Sequence, residues 1–496
     1  MAEAGERAGA SRKESKTAGP PPPAALAFLD RYFGITSAGS SVRTELLAGV
    51  TTFMTMAYIL FVNAAVLGSV DDANGRRLGF AQVLTSTALS GGISSIAMGL
   101  VANYPFALAA GMGLNAVVAF QLVASAGLTW AQAMGVIVVE GLLIGVLVLT
   151  GFREAVMNAI PLALKQAIGV GIGLFIAFIG FVISGFVGKP DAPELRVELG
   201  QGGMLRGAPV CIFVFGLILT IYLVARKVRG ALVLGILAST ALAVLVNETL
   251  LDGAGWKHVA AGMARLPKRP VAMPTRDNFE LVGNFGFGFV AKMGAMAAAL
   301  AVFTVMLGDF FDTMGTVIGL GGKAGFLDDA GRLPRSRNVL LVDSLAAALG
   351  GACGASSNTT YIESASGIAE GGRTGLTAVT VGLLFLASLV LWPLADVLPP
   401  QATGPALVIV GFMMVGLVRE IPWDDYELSI PAFLTMVVMP FTYSITNGIG
   451  VGFVTYVAIK ALRQKSREVH PMMSVSGLAF LVYFSMHYLR TLLRVD

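Results

Sequence analysis

Charge is what this chain has least of. Asp, Glu, Lys and Arg make up 13% of its 496 residues, about half of the ~25% carried by an ordinary soluble domain. Such a chain cannot cover a globule with solvated groups, and a soluble fold is excluded. Histidine and cysteine are scarcer still: His258, His470, His487, Cys211 and Cys353 are all there are. They are scattered, and both cysteines sit in apolar stretches, so neither a disulfide framework nor a metal centre is expected. A Gly-Lys-Ser/Thr phosphate motif is also missing, which removes the usual ATP engine. No nucleophile–base set is visible, so the chain does not read as an enzyme, and no catalytic residue or cofactor is assigned. A net charge of +4 gives no footing for nucleic acid as a partner.

What is present in excess is apolar. Hydrophobic residues reach 55% and the mean hydropathy is +0.77. Stretches near 20 residues recur, each long enough to cross the hydrocarbon core as a helix. The fold class is therefore an all-α polytopic membrane protein, with the lipid bilayer as its surroundings. Hydropathy places segments near 45–68, 80–102, 105–123, 130–150, 166–187, 208–226 and 230–250. After a polar connection, 251–288, a second set lies near 293–320, 338–353, 358–370, 374–393, 397–418, 430–446 and 448–463. A short apolar segment, 472–490, is left over and reads as interfacial. The Ala/Gly/Pro/Ser-rich residues 1–40 lack the apolar core of a signal peptide and read as a disordered cytosolic tail. Five regions result: tail 1–40, first repeat 41–250, connection 251–288, second repeat 289–463 and carboxyl-terminal tail 464–496.

Short-loop basic residues orient the chain. Arg153, Arg226, Lys227, Arg229, the "LPRSR" loop, Arg373 and Arg419 fall on one side together with the amino terminus, which places that side in the cytosol. The connection 251–288 runs against this rule, with Lys257, Arg265, Lys268, Arg269 and Arg276 on the outer side. An odd-numbered repeat inserts its two copies with opposite topology, so fourteen segments predict a seven-plus-seven inverted repeat. Secondary transporters build a midplane site at such a repeat interface. A faint echo links "TMAYIL" at Thr55 with "TMGTVIG" at Thr313.

The third and tenth segments stand at matching places in the two halves, and neither can remain one uninterrupted helix. "PFALAAGMGLNAVVAF" contains Gly111-Met112-Gly113 before Asn115; "GGACGASSNTTYIESASGIAEGG" is crowded with small and hydroxyl residues around Glu363. Paired glycine-interrupted segments point to a transport site, because half-helix ends and free backbone groups face a ligand there.

Asp309 and Asp312 in "GDFFDTMGTVIGL" lie inside an apolar run, where a charged group costs roughly 2.5–3.5 kcal/mol on insertion scales. Asp312 reads as buried and functional, able to exchange a proton during a cycle. Asp309 reads as its solvated neighbour near the aqueous end, a candidate helper in proton delivery. Glu363 has hydroxyl neighbours at Thr359, Thr360, Ser364 and Ser366. Asn115 offers both a donor and an acceptor, for a ligand or for an interhelical pair. Glu140, in "VIVVEGLLIGV", is read as pairing with a neighbouring helix rather than serving proton movement, and Asp343 shares that ambiguity. Two carboxylates, an amide and hydroxyls without a fixed basic residue do not suit an anion. They suit a flat, neutral, hydrogen-bond-rich molecule, with Phe310, Phe311 or Tyr361 able to stack on a ring.

"GVTTFMTMAYILFVN", "AAGMGLNAVVAF", "FFDTMGTVIGL", "TTYIESASGIAEGGRTGLTAV" and "IPAFLTMVVMPFTYSITNGIGVGF" resemble the AzgA-type purine permeases of the nucleobase–cation symporter group, from about Thr44 to Ala461. The resemblance implies a fourteen-span fold of two inverted repeats divided into core and gate domains, with extended stretches of the third and tenth spans meeting at the substrate site. It implies that Asp312 and Glu363 contact the nucleobase and the proton, with Leu114, Asn115, Thr360, Tyr361 and Ile362 around them. It implies proton-driven symport of adenine, guanine or hypoxanthine, and of purine-like cytokinins in plant members. Carriers of uracil, xanthine or an anion on the same fold, and a channel or receptor, are the alternatives. Related folds dimerise through the gate domain, so a homodimer is the oligomer suggested. The long tail suggests a eukaryotic source, and hence the plasma membrane or an internal membrane.

Overall fold

The computed structural model describes residues 27–150, 159–190, 197–251, 256, 264–265, 269–328 and 333–493. The expected segments fall on helices. The first is Val42–Met56 with Ile59–Leu67, interrupted at Ala57 and Tyr58; the second is Phe80–Ala97; the fourth to seventh are Trp130–Thr150, Leu162–Ile183, Ala208–Ala225 and Ala231–Thr249. In the second half, Ala295–Ala324, Ser336–Cys353, Gly375–Ala387, Pro400–Val415, Tyr426–Thr442 and Ile445–Leu462 serve as the eighth, ninth and eleventh to fourteenth. Among the described residues, nine helical stretches are long and apolar enough to cross a membrane. The final helix, Pro471–Leu493, is longer than the expected 472–490 segment and lies against the eighth and fourteenth segments, with Phe480 fully buried.

The third and tenth segments are broken as their glycines predict. Strand Leu108–Ala110 precedes helix Met112–Ala116, and strand Asn358–Thr360 precedes helix Ser364–Ala369. Ser356, just before the second strand, holds a left-handed φ of 79°, a conformation that costs energy and concentrates at functional sites. Extended backbone at membrane depth must find partners inside the protein, and these strands supply each other's. They pair antiparallel, Leu108 opposite Thr360 and Ala110 opposite Asn358. Gly111 N donates to Ser357 O (2.7 Å) and Tyr361 N to Ala107 O (2.9 Å). The Ser95 hydroxyl accepts from Leu108 N and donates to Leu108 O, both at 2.9 Å.

Packing sorts the segments into two bodies. Segments one to four and eight to eleven pack among themselves, and so do five to seven and twelve to fourteen. These are the expected core and gate. Glycines set the closest approaches at equivalent places in both. In the core, Gly92 and Gly99 meet Gly382 and Gly375, and in the gate Gly173 and Gly180 meet Gly411 and Gly404. A Cβ on Gly375 would lie 2.0 Å from the Gly99 carbonyl oxygen, so only glycine lets these backbones touch.

Residues 27–40, read above as part of a disordered tail, are ordered. Helix Ala27–Phe33 leads to Phe33 and Ile35, which are buried against Leu376 of the eleventh segment. Two apolar side chains within a polar, proline-rich composition suffice to dock that stretch. Residues 1–26 lie outside the described residues, as do Arg153, Lys257, His258 and Lys268 of the orientation and histidine arguments.

Candidate functional site

The crossed strands and the eighth segment form one polar centre in an apolar core. Glu363 stands at the amino-terminal edge of helix Ser364–Ala369, where backbone N–H groups face a negative charge. The Tyr58 hydroxyl donates to Glu363 Oε1 at 2.6 Å, and Thr55 and Ser366 hydroxyls meet at 2.9 Å. Asp312 comes from the facing helix and shares one electrostatic neighbourhood with Glu363, Tyr58 and Tyr361. Among the described residues, no Lys or Arg acts on either acid. Asp312 and Glu363 are half-buried, and Ile362 beside them is 46% exposed. The two acids and Ile362 thus leave a partly open crevice at the strand crossing.

The other expected site residues divide between wall and scaffold. Leu114 is buried over Gly308, where no side chain intervenes. Asn115 is fully buried; its Nδ2 donates to Asn63 Oδ1 (3.1 Å), while its own Oδ1 has no hydrogen-bond partner among the described residues. Asn63 in turn donates to Thr87 Oγ1 (2.8 Å) and Ala355 O (2.9 Å). The Asn115 amide is thus held in one orientation with an acceptor to spare. Thr360 and Tyr361 spend their polar groups on the crossing. Thr360 donates from both N (3.0 Å) and Oγ1 (2.8 Å) to Asp343 Oδ1, and the Tyr361 hydroxyl donates to Ala110 O at 2.5 Å. Phe310 is buried away from the crevice; the side chain of Phe311 lies outside the described residues.

Three further acids lie deeper. Asp343 accepts from Thr360 and, at 2.7 Å through Oδ2, from the Thr313 hydroxyl, so it ties the eighth and ninth segments to the tenth strand. That is the structural side of its expected ambiguity. Asp309, expected to be a solvated neighbour, is instead fully buried. The reason is angular: three residues before Asp312, it sits about 60° around the helix, which turns it away from the crevice and toward the fourth segment. There it adjoins Glu140, also fully buried. Glu140 does face a neighbouring helix as expected, but the group it meets there is another acid.

Tyr58 and Asn63 were not singled out from the sequence. The signals were there: Tyr58 follows a helix break in the run "TMAYILFVN", and Asn63 is that run's amide among apolar residues.

Known proteins agree with this architecture. The profile of a family described as "Permease family" (Xan_ur_permease) matches residues 43–451. A putative permease of Methanocaldococcus jannaschii is 40% identical over 92% of this chain and 98% of its own length. The guanine/hypoxanthine permease PbuG of Bacillus subtilis is 39% identical, covering 91% and 98%. The adenine permease AdeP of Escherichia coli is 37% identical, covering 92% and 95%. These relatives are bacterial and archaeal, so the eukaryotic origin suggested by the tail gains no support from them. Among solved structures, the transmembrane domain of the cyanobacterial bicarbonate transporter BicA superposes with a TM-score of 0.60 at 12% identity, over 82% of this chain and 97% of that one. Murine Slc26a9, an anion transporter, superposes with a TM-score of 0.56, over 91% and 74%. Likeness at that identity concerns the fold alone, and the fold is the seven-plus-seven one. The chain is an integral membrane transporter, not an enzyme, and it belongs to this permease family.

Proposed function

We propose that the chain carries purine nucleobases across a membrane together with protons, by alternating access. The observation that carries this reading is the pair of half-buried carboxyl groups, Asp312 and Glu363, facing one crevice at the strand crossing. A neutral, planar ring with N–H donors matches two acceptors, and Leu114, Tyr361 and Ile362 provide apolar surface for its face. The names of the relatives support adenine, guanine and hypoxanthine as substrates, with purine-like cytokinins as a wider class to test. Tyr58 orients Glu363, and Asn115 offers its free Oδ1 to the ring or to a neighbour. Thr360 belongs to the reading as the clamp that fixes the tenth strand.

The crevice side also fits a direction. Gly319, on the half of the eighth segment that the basic-loop rule places toward the cytosol, is exposed, as is Ile362 of the tenth segment packed beside it. On the opposite half, Gln121 of the core is hydrogen-bonded to Ser444 and Thr446 of the gate. This arrangement corresponds to an inward-open carrier closed outside. The repeats 41–250 and 289–463 then serve as the two inverted units, joined by 251–288.

The test is uptake of labelled adenine in cells lacking their own purine carriers, at two external pH values. Unlabelled guanine, hypoxanthine, uracil, xanthine, a cytokinin and sulfate serve as competitors. Accumulation against a gradient, collapsed by a protonophore and displaced by purines alone, is the expected result. Displacement by uracil or sulfate instead of purines would overturn the substrate class, and gradient-independent flux would make the protein a channel.

A further inference from the structure

We infer that Glu140 and Asp309 form a carboxyl–carboxylate pair that holds one exchangeable proton behind the substrate crevice, making Glu140 part of the coupling machinery. The inference rests on the proton-coupled reading above and locates its proton. Both residues are 0% exposed, and none of their four carboxyl oxygens has a hydrogen-bond partner among the described residues. The two groups adjoin across the fourth and eighth segments. Ser357, likewise fully buried, brings its hydroxyl beside Glu140 from the start of the tenth segment.

The charged groups facing this pair are all acids. Glu140 faces Asp309 and, from the ninth segment, Asp343; Asp309 faces Glu140 and Asp343, with Asp312 on its own helix. Among the described residues no Lys, Arg or His joins them. Asp343 already takes three donor contacts from Thr313 and Thr360, and these leave no donor for the pair. Two further carboxylates in this surrounding would stand unpaired and dry, the most expensive arrangement a core can hold. One proton removes the cost: an O–H on one acid donates to the other's oxygen, and a single negative charge is spread over the pair. Two acids that share a site in this way titrate as a unit.

Position makes this proton relevant to transport. Asp309 is three residues from Asp312, so a charge on the pair is felt at the substrate carboxylate. Ser357 hands its carbonyl to Gly111 N, which joins the pair to the strand crossing. Proton binding and substrate binding thus act on the same rigid unit. The balance is simple: water on the uptake side gives up one proton to a carboxylate oxygen, and that oxygen returns it to water on the other side.

The test uses purified full-length protein in proteoliposomes. For wild type, one coupled proton predicts about tenfold adenine accumulation per unit of pH gradient. In Glu140→Gln the accumulation driven by the pH gradient is expected to fall to the level seen without a gradient, while Glu140→Asp restores part of it. Infrared difference spectra of the wild type, taken across a pH titration, should contain the C=O stretch of a protonated carboxyl that Glu140→Gln removes or shifts. Gradient-driven accumulation unchanged in Glu140→Gln overturns the inference. So does the lack of any protonated-carboxyl band in the wild type at neutral pH, a reading that does not depend on how the variant folds. Wild-type protein that exchanges adenine with no response to a pH gradient would sink the proton-coupled reading itself, whatever the infrared band shows.

Discussion

Removing one oxygen atom from Tyr58 tests the site more sharply than removing either acid. In Tyr58→Phe the ring stays in its place, because Tyr58 is 1% exposed and phenylalanine fills the same packed volume. What is lost is the 2.6 Å hydrogen bond to Glu363 Oε1. A hydrogen bond to a charged partner contributes about 1.5–3 kcal/mol, which corresponds to about 10- to 150-fold in an equilibrium constant. That loss should fall on substrate affinity, since the freed carboxylate must be reoriented by the ligand. The assay is concentration-dependent adenine uptake in cells without their own purine carriers, with the surface amount of each variant measured in parallel. A KM raised at least about tenfold at near-normal surface amount is expected. Equilibrium binding to the purified variant separates affinity from turnover. A KM within about twofold of wild type would refute the reasoning, since it would mean that Glu363 does not need Tyr58 to meet the substrate.

Asp312→Asn and Glu363→Gln keep shape while removing charge, and both should abolish adenine uptake with the protein still at the surface; normal uptake in either would remove that residue from the site. Asp343→Ala leaves Thr360 N and Thr360 Oγ1 without their acceptor and Thr313 Oγ1 with Thr359 alone. Each buried orphan costs about 1–3 kcal/mol, so thermal unfolding in detergent should shift well down, and an unchanged Tm would contradict the clamp. Gly375→Val places a side chain where even a Cβ would lie 2.0 Å from the Gly99 carbonyl oxygen; the expected outcome is loss of folded protein from the membrane, read by monodispersity on size exclusion.

The apolar runs made the membrane class and the segment limits legible, because hydropathy over some 20 residues is a sum that no single residue can overturn. The glycine breaks around Gly111 and Gly354 made the third and tenth segments legible for a similar reason: they fail as helices on local grounds. What the chain order could not reveal was direction around a helix. Asp309 and Asp312 differ by three residues and look alike in a hydropathy profile, yet one turns to the fourth segment and the other to the crevice. Only the packing of the eighth segment between Glu140 and the strand crossing separates them. Tyr58 was hidden for a different reason, as a tyrosine in an apolar run is ordinary until its hydroxyl is seen against Glu363, far along the chain. The docking of Phe33 and Ile35 was hidden because a composition average over residues 1–40 dilutes two contacts.

The five acids near the strand crossing differ chiefly in what donates to them, and that difference assigns their work. Asp343 receives three hydrogen bonds from threonines and peptide and so fixes the eighth, ninth and tenth segments to one another. Glu363 receives one strong donor from Tyr58 and keeps an oxygen for a ligand. Asp312 is half-buried at the crevice, which on the proposed reading leaves it to water or to a substrate. Among the described residues Glu140 and Asp309 have only the Ser357 hydroxyl beside them, and on the inference above a proton is the smallest ligand that answers their need. A carrier must bring substrate and ion to one rigid body without letting either bind in place of the other. Grading donors from saturated to absent, over acids only a few side chains apart, achieves that separation with one kind of functional group.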